Sequence, residues 1–155
     1  MNDLVDERKA AMFQKVAVAY NGSPEAERAL VSAIRLATIF QADLHTVTAM
    51  TDLPAYTAYA GAADVSLPHA LEEDRAKSYE LLQDKARALA RTHGIDLRSH
   101  LVQGHGVEAI VDFLRQQKAD LLVIGLHQRD FYIARLWSTV YDLAQEAPCS
   151  VLGVH

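Results

Sequence analysis

ADLLVIG, residues Ala119 to Gly125, is apolar without the polar alternation of a strand that has one face in water. Such a run fits a central strand of a parallel sheet whose two faces are both covered by helices. Downstream, the segment from about Ser138 to Ala147 reads as a helix and SVLGV as a last strand. Upstream, Val107, Ile110, Val111 and Leu114 recur at i, i+3, i+4, i+7, the mark of a short amphipathic helix. Before it, DLRSHLV alternates as a strand, and a long helix spans roughly His69 to His93, with Gly94 as its stop. DLHTVTAM (Asp43 to Met50) and KVAVAY (Lys15 to Tyr20) supply two more strands. Between the last two, Ser23 is an N-cap, Pro24 suits the first helical position, and Glu25 and Glu27 complement the helix dipole. Ala26, Ala29, Leu30, Ala33, Ile34 and Ala37 then mark one face of a helix to about Phe40. The strict strand-helix alternation predicts an α/β fold. It is a doubly wound five-stranded parallel sheet of order 3-2-1-4-5 with helices on both faces. Residues 1-14 read as an N-terminal tail and 15-155 as a single domain.

Composition narrows the class of function. The 155 residues are half apolar, with a net charge of -5, which disfavours nucleic acid or an anionic membrane as the main partner. No apolar run approaches the length of a membrane span. The segment MNDLVDERKAAMFQ lacks the positive flank and apolar core of an export signal, and the one cysteine, Cys149, has no internal partner. The expected compartment is therefore the cytoplasm.

In a doubly wound sheet, ligands lie beyond the carboxyl ends of the strands where the strand order reverses, here between the first and fourth strands. The predicted crevice is lined by YNGS (Tyr20 to Ser23) and GLHQ (Gly125 to Gln128), with Ser138 and Thr139 near a helix start. Neither a P-loop nor a dinucleotide fingerprint follows the first strand, and no G-x-S-x-G elbow is present. Asn21 stands where a phospho-receiver would want an acid.

Four pieces together, VAVAYNGSPEAERAL, QGHGVEAI, ADLLVIG and APCSVLGV, resemble a universal stress protein domain over nearly the whole chain from Lys15. The resemblance implies the same sheet and a dimeric cytoplasmic stress-response protein. ATP-binding members carry glycine, two residues, glycine, nine residues, then glycine with Ser or Thr, and an aspartate after the first strand. Here Gly125 matches the first glycine and Thr139 the hydroxyl, but Gln128 and Ser138 replace the other glycines and Asn21 the aspartate. The adenine-contacting backbone would be that of Ala49. A Cβ keeps the main chain away from phosphates, and an amide cannot help hold a metal as a carboxylate does. The HQRDFY composition resembles the branch typified by universal stress protein A, which lacks the glycine signature. The leading expectation is thus a stress-response dimer acting by protein interaction, without catalysis, nucleotide or metal. The alternative is an ATP-binding member with slow or no hydrolysis, in which Asn21, Ala49, Gly125, Gln128, Ser138 and Thr139 surround the nucleotide. Arg129 or Arg135 would then neutralise charge.

Other residues read more plainly. His105 and His127 lie in loops at the same sheet end without metal-ligand spacing, so solvated histidines are expected. Cys149 reads as a small core residue. Phe131, Tyr132, Ile133 and Trp137 read as a plug over the site or an interface. SVLGVH should be an edge strand, able to pair with a second copy through Val151, Leu152 and Val154. The connection from Thr51 to Pro68 is long enough to suggest a functional or flexible loop.

Overall fold

The computed structural model describes residues 12–50, 67–126 and 133–155, the side chains of 67–69 and 133–139 excepted. The elements are β1 (Lys15–Ala19), α1 (Pro24–Phe40), β2 (Asp43–Met50), α2 (Leu67–Thr92), β3 (Leu97–Gln103), α3 (Gly106–Gln117), β4 (Leu121–Gly125), α4 (Ile133–Glu146) and β5 (Ser150–Val154). All four strand pairings are parallel, in the order β3-β2-β1-β4-β5 that the alternation predicted.

Strand parity divides the core in two. Val16, Val18 and Leu44 face α1 and α2, meeting Leu30, Ile34, Ala86 and Ala90. Ala17, Val47, Leu122 and Ile124 face α3 and α4, meeting Ile110, Phe113, Leu114 and Leu143. β4 is buried from Leu121 to Ile124, which is why its sequence shows no alternation. No helix of the described residues is long and apolar enough to cross a membrane.

α1 begins as its sequence suggests, with Ser23 Oγ accepting from the Ala26 amide at 3.2 Å and Pro24 in the first turn. α4 departs from expectation, starting at Ile133 rather than near Ser138. The apolar spacing Ile133, Leu136, Val140, Leu143 runs i, i+3, i+7, i+10 through the hydroxyl pair, and neither Gly nor Pro interrupts it. Helical period therefore outweighs the capping preference of Ser138.

Candidate functional site

The crevice opens where the pairing of the sheet divides. β1 stays paired with β2 as far as Ala19 and Val47, but its register with β4 ends at Val18 and Val123. β4 meanwhile follows β5 to Gly125 and Val154. The diverging strands leave a cavity of about 300 Å³, walled by Val47, Ile110, Ile124 and Leu143 and rimmed by Asn21, Ser23, Glu25 and Thr48. Such a cavity, mostly apolar with a few polar groups, suits a small ligand.

Backbone geometry supplies the most specific feature. Val47 accepts the Tyr20 amide at 3.0 Å, so its polar groups face β1. Hydrogen-bonding direction alternates along a strand, hence Ala49, two residues on, presents its N–H and C=O to the same side. There β1 has already ended, and Ala49 lines the cavity.

The polar rim is largely committed. Asn21 Oδ1 accepts from the Ser23 amide at 3.0 Å in an Asx-type turn, and the NH₂ of the same side chain is a donor. Ser23 Oγ caps α1, and Thr48 Oγ1 donates to the Tyr20 carbonyl at 2.7 Å. The α1 N-terminus thus spends amides on its own cap that an anion would otherwise use. Burial, then the nearby Glu27 carboxylate, pushes the Tyr20 phenol up, outweighing Lys85, and its hydroxyl has no partner among the described residues.

Gly125 has a packing role that its sequence position conceals. A Cβ there would run into the carbonyl carbon and oxygen of Glu25 and stand 2.8 Å from its Cβ. β4 can reach the first turn of α1 only without a side chain at this point.

The structure brings three of the six predicted residues, Asn21, Ala49 and Gly125, into one cavity. Ser138 and Thr139 are the sixth and seventh residues of α4, so their amides fall within the helical ladder rather than at its open end. The next residue, Val140, lines the cavity. Gln128 lies outside the described residues, as do His127, Arg129, Phe131 and Tyr132 and residues 51–66 of the long connection. Glu25, Val47, Thr48 and Ile110 were not singled out in the sequence as site residues, although Val47 and Ala49 share a parity that points both to one face.

His105 is exposed at the N-cap of α3 and makes no side-chain cap bond. Among the described residues no three His, Cys, Asp or Glu cluster as metal ligands. Cys149 is half-buried against the α3 and α4 core, and burial raises its thiol, with Asp120 adding to the effect. The sequence reading missed a histidine pair, buried His45 of β2 and half-buried His100 of β3, joined Nδ1 to Nε2 at 2.9 Å. Both stand on the strand parity that faces α3; their pairing depends on the register between β2 and β3, which are far apart in sequence.

Solved structures of similar shape share this architecture. A universal stress protein in complex with cAMP is 27% identical, with a TM-score of 0.70 over 93% of this chain and 98% of that one. One from Burkholderia pseudomallei is 24% identical with a TM-score of 0.68, over 93% and 97% of the two chains. Universal stress protein UspA from Lactobacillus plantarum is 22% identical with a TM-score of 0.72, over 92% and 98%; these last two show the fold alone. The sequence profile of the Universal stress protein family matches residues 12–155, so this chain belongs to that family.

Proposed function

We propose that the crevice holds the nucleoside part of an adenine mononucleotide, and that the chain is a non-catalytic, nucleotide-responsive stress protein. The observation that carries this is the Ala49 backbone, whose donor and acceptor face an apolar slot beyond the end of β1. An adenine edge offers the matching acceptor and donor pair. Asn21 would donate to a ribose or phosphate oxygen, its own oxygen being held by Ser23. The similar protein solved with cAMP supports a ligand with a single phosphate.

The same geometry argues against a strong grip on a polyphosphate chain. Ser138 and Thr139 lie inside α4, Gln128 stands where glycine would shape a phosphate nest, and α1 is capped. In this reading Gly125 serves packing and leaves the tail of the ligand to solvent.

The expectation of a dimer acting by protein interaction has its own support. β5 is an edge strand on which Leu152 is exposed and Val151 and Val154 are half-buried, so an isologous pairing of copies would cover it. Nucleotide occupancy and dimer contacts are compatible, since they use different sides of β4.

Calorimetric titration of ligand-free protein with AMP, cAMP and ATP tests the reading. AMP and cAMP should bind, and ATP should gain little from its extra phosphates. ATP tighter than AMP by on the order of tenfold, ~1.4 kcal/mol, would show a working phosphate cradle despite Gln128 and Ser138. No heat and no melting shift with any of the three would leave the protein-interaction reading standing alone.

A further inference from the structure

The imidazoles of His45 and His100 sit on the sheet face covered by α3. Their planes are 14° apart and their centroids 5.1 Å, with 2.9 Å between His45 Nδ1 and His100 Nε2. Near-parallel rings with that short nitrogen contact meet by their edges, as in an N–H···N bond, rather than by their faces. His45 is 1% exposed, and its Nε2 is buried with no partner among the described residues. The ring of Phe113, from α3, lies 4.8 Å from that of His100.

An imidazole pair of this kind needs one donor and one acceptor, so the accepting ring is neutral, and burial keeps the donating ring neutral as well. If His45 donates through Nδ1, its bare Nε2 costs less in a dry site than an orphan N–H would. Adding a proton to His45 places charge and an unpartnered donor in the core, and adding one to His100 sets two N–H groups against each other. The surrounding charges oppose protonation too. Lys15 of β1 and Arg98 of β3 are cationic neighbours, and only Asp43 of β2 favours it. From α3, Phe113 is the contact, while Glu108, Asp112 and Arg115 are exposed to solvent.

The pair lies directly below the crevice. His100 is the register partner of Val47, which lines the cavity, and Phe113 follows Ile110, another lining residue, by one helical turn. We propose that the His45–His100 bond between β2 and β3 is a proton-sensitive latch on which α3 rests through Phe113. Its protonation loosens α3 and with it the Ile110 wall of the crevice.

The latch is read by NMR on ligand-free protein, following the histidine Cε1–H signals and the Ile110 methyl from pH 7.5 to 4. Burial, then His100, then Lys15 and Arg98 hold His45 down at about 4, and burial, then Arg98 and Lys15, lower His100. The Ile110 methyl should titrate with the pair, well below the ordinary histidine value of 6.5. In a protein carrying His45→Asn and His100→Gln, which keep amide groups near the bonding nitrogens without a titrating ring, that movement should vanish. Should the double variant not fold, the half-buried His100→Gln alone should still shift the midpoint and shrink the amplitude. An Ile110 titration that persists in the double variant or is unchanged in His100→Gln, or a His45–His100 pair that titrates near 6.5 in the wild type, would overturn the proposal.

Discussion

Gly125→Ala separates two roles that a glycine at this place can have, shaping a phosphate loop or admitting a close approach of backbones. The new Cβ would stand 2.8 Å from Glu25 Cβ and closer still to that residue's carbonyl group. Carbon atoms prefer about 3.5–4.0 Å, so the end of β4 must retreat by roughly 1 Å. The obstacle is the first turn of α1, held by the Ser23 cap, and cannot swing aside like a flexible side chain. Overpacking of this kind costs about 1–3 kcal/mol. Alanine recovers roughly 0.4–1 kcal/mol by restricting the unfolded chain, leaving a net loss of about 1–2 kcal/mol. With a urea m-value of about 2 kcal/mol/M, the unfolding midpoint should fall by roughly 0.5–1 M with m unchanged. Gly106→Ala is the control, because a Cβ there meets nothing within 4 Å. Urea unfolding of both variants, ligand-free, decides the matter. If Gly125→Ala unfolds with the wild type and with Gly106→Ala, the packing argument is wrong; lost AMP binding in that same stable variant would mean the glycine serves the ligand.

Two further outcomes follow from the hydrogen bonds and the histidine pair. Ser23→Ala removes the oxygen that accepts the Ala26 amide and should cost ~1 kcal/mol, read as a lowered thermal midpoint; an unchanged midpoint would mean that water caps α1 as well. Acid should weaken the fold through His45. Its folded value of about 4 lies below the 6.5 of the unfolded chain, so the unfolded state binds more protons between these limits, and stability falls as pH drops through that window and levels below it. From pH 7 to 5 the loss is about 2 kcal/mol for this group. The difference between wild type and His45→Asn in urea titrations at the two pH values isolates it from the carboxylates; equal pH dependence in both would refute the assignment.

The sheet order and most element positions were legible because each rests on a local pattern. The unbroken apolar run from Leu121 to Ile124 reports burial on both faces, and the Ser23, Pro24, Glu25 sequence writes the start of α1 within a few residues. The start of α4 was misplaced because two local signals conflict there. Ser138 suits a cap, but the apolar period extends upstream of it to Ile133.

The chemistry of the site was less legible, for a different reason. Asn21 looked like a weakened aspartate, yet its oxygen already accepts the Ser23 amide and its NH₂ adds a donor that a carboxylate lacks, so turn geometry as well as residue type sets its role. Gly125 matched a ligand signature, but α1, a hundred residues earlier in the chain, supplies a steric reason for it. His45 and His100 each show the right parity, while their bond depends on the pairing of β2 with β3. Motif matching assigns each such residue one role by position, whereas the folded chain gives it neighbours that can take that role away. A glycine shared with a nucleotide signature is therefore weak support for phosphate binding until its Cβ direction is known. An exposed backbone edge such as that of Ala49, which any residue type can supply, is the stronger indication of a ligand here.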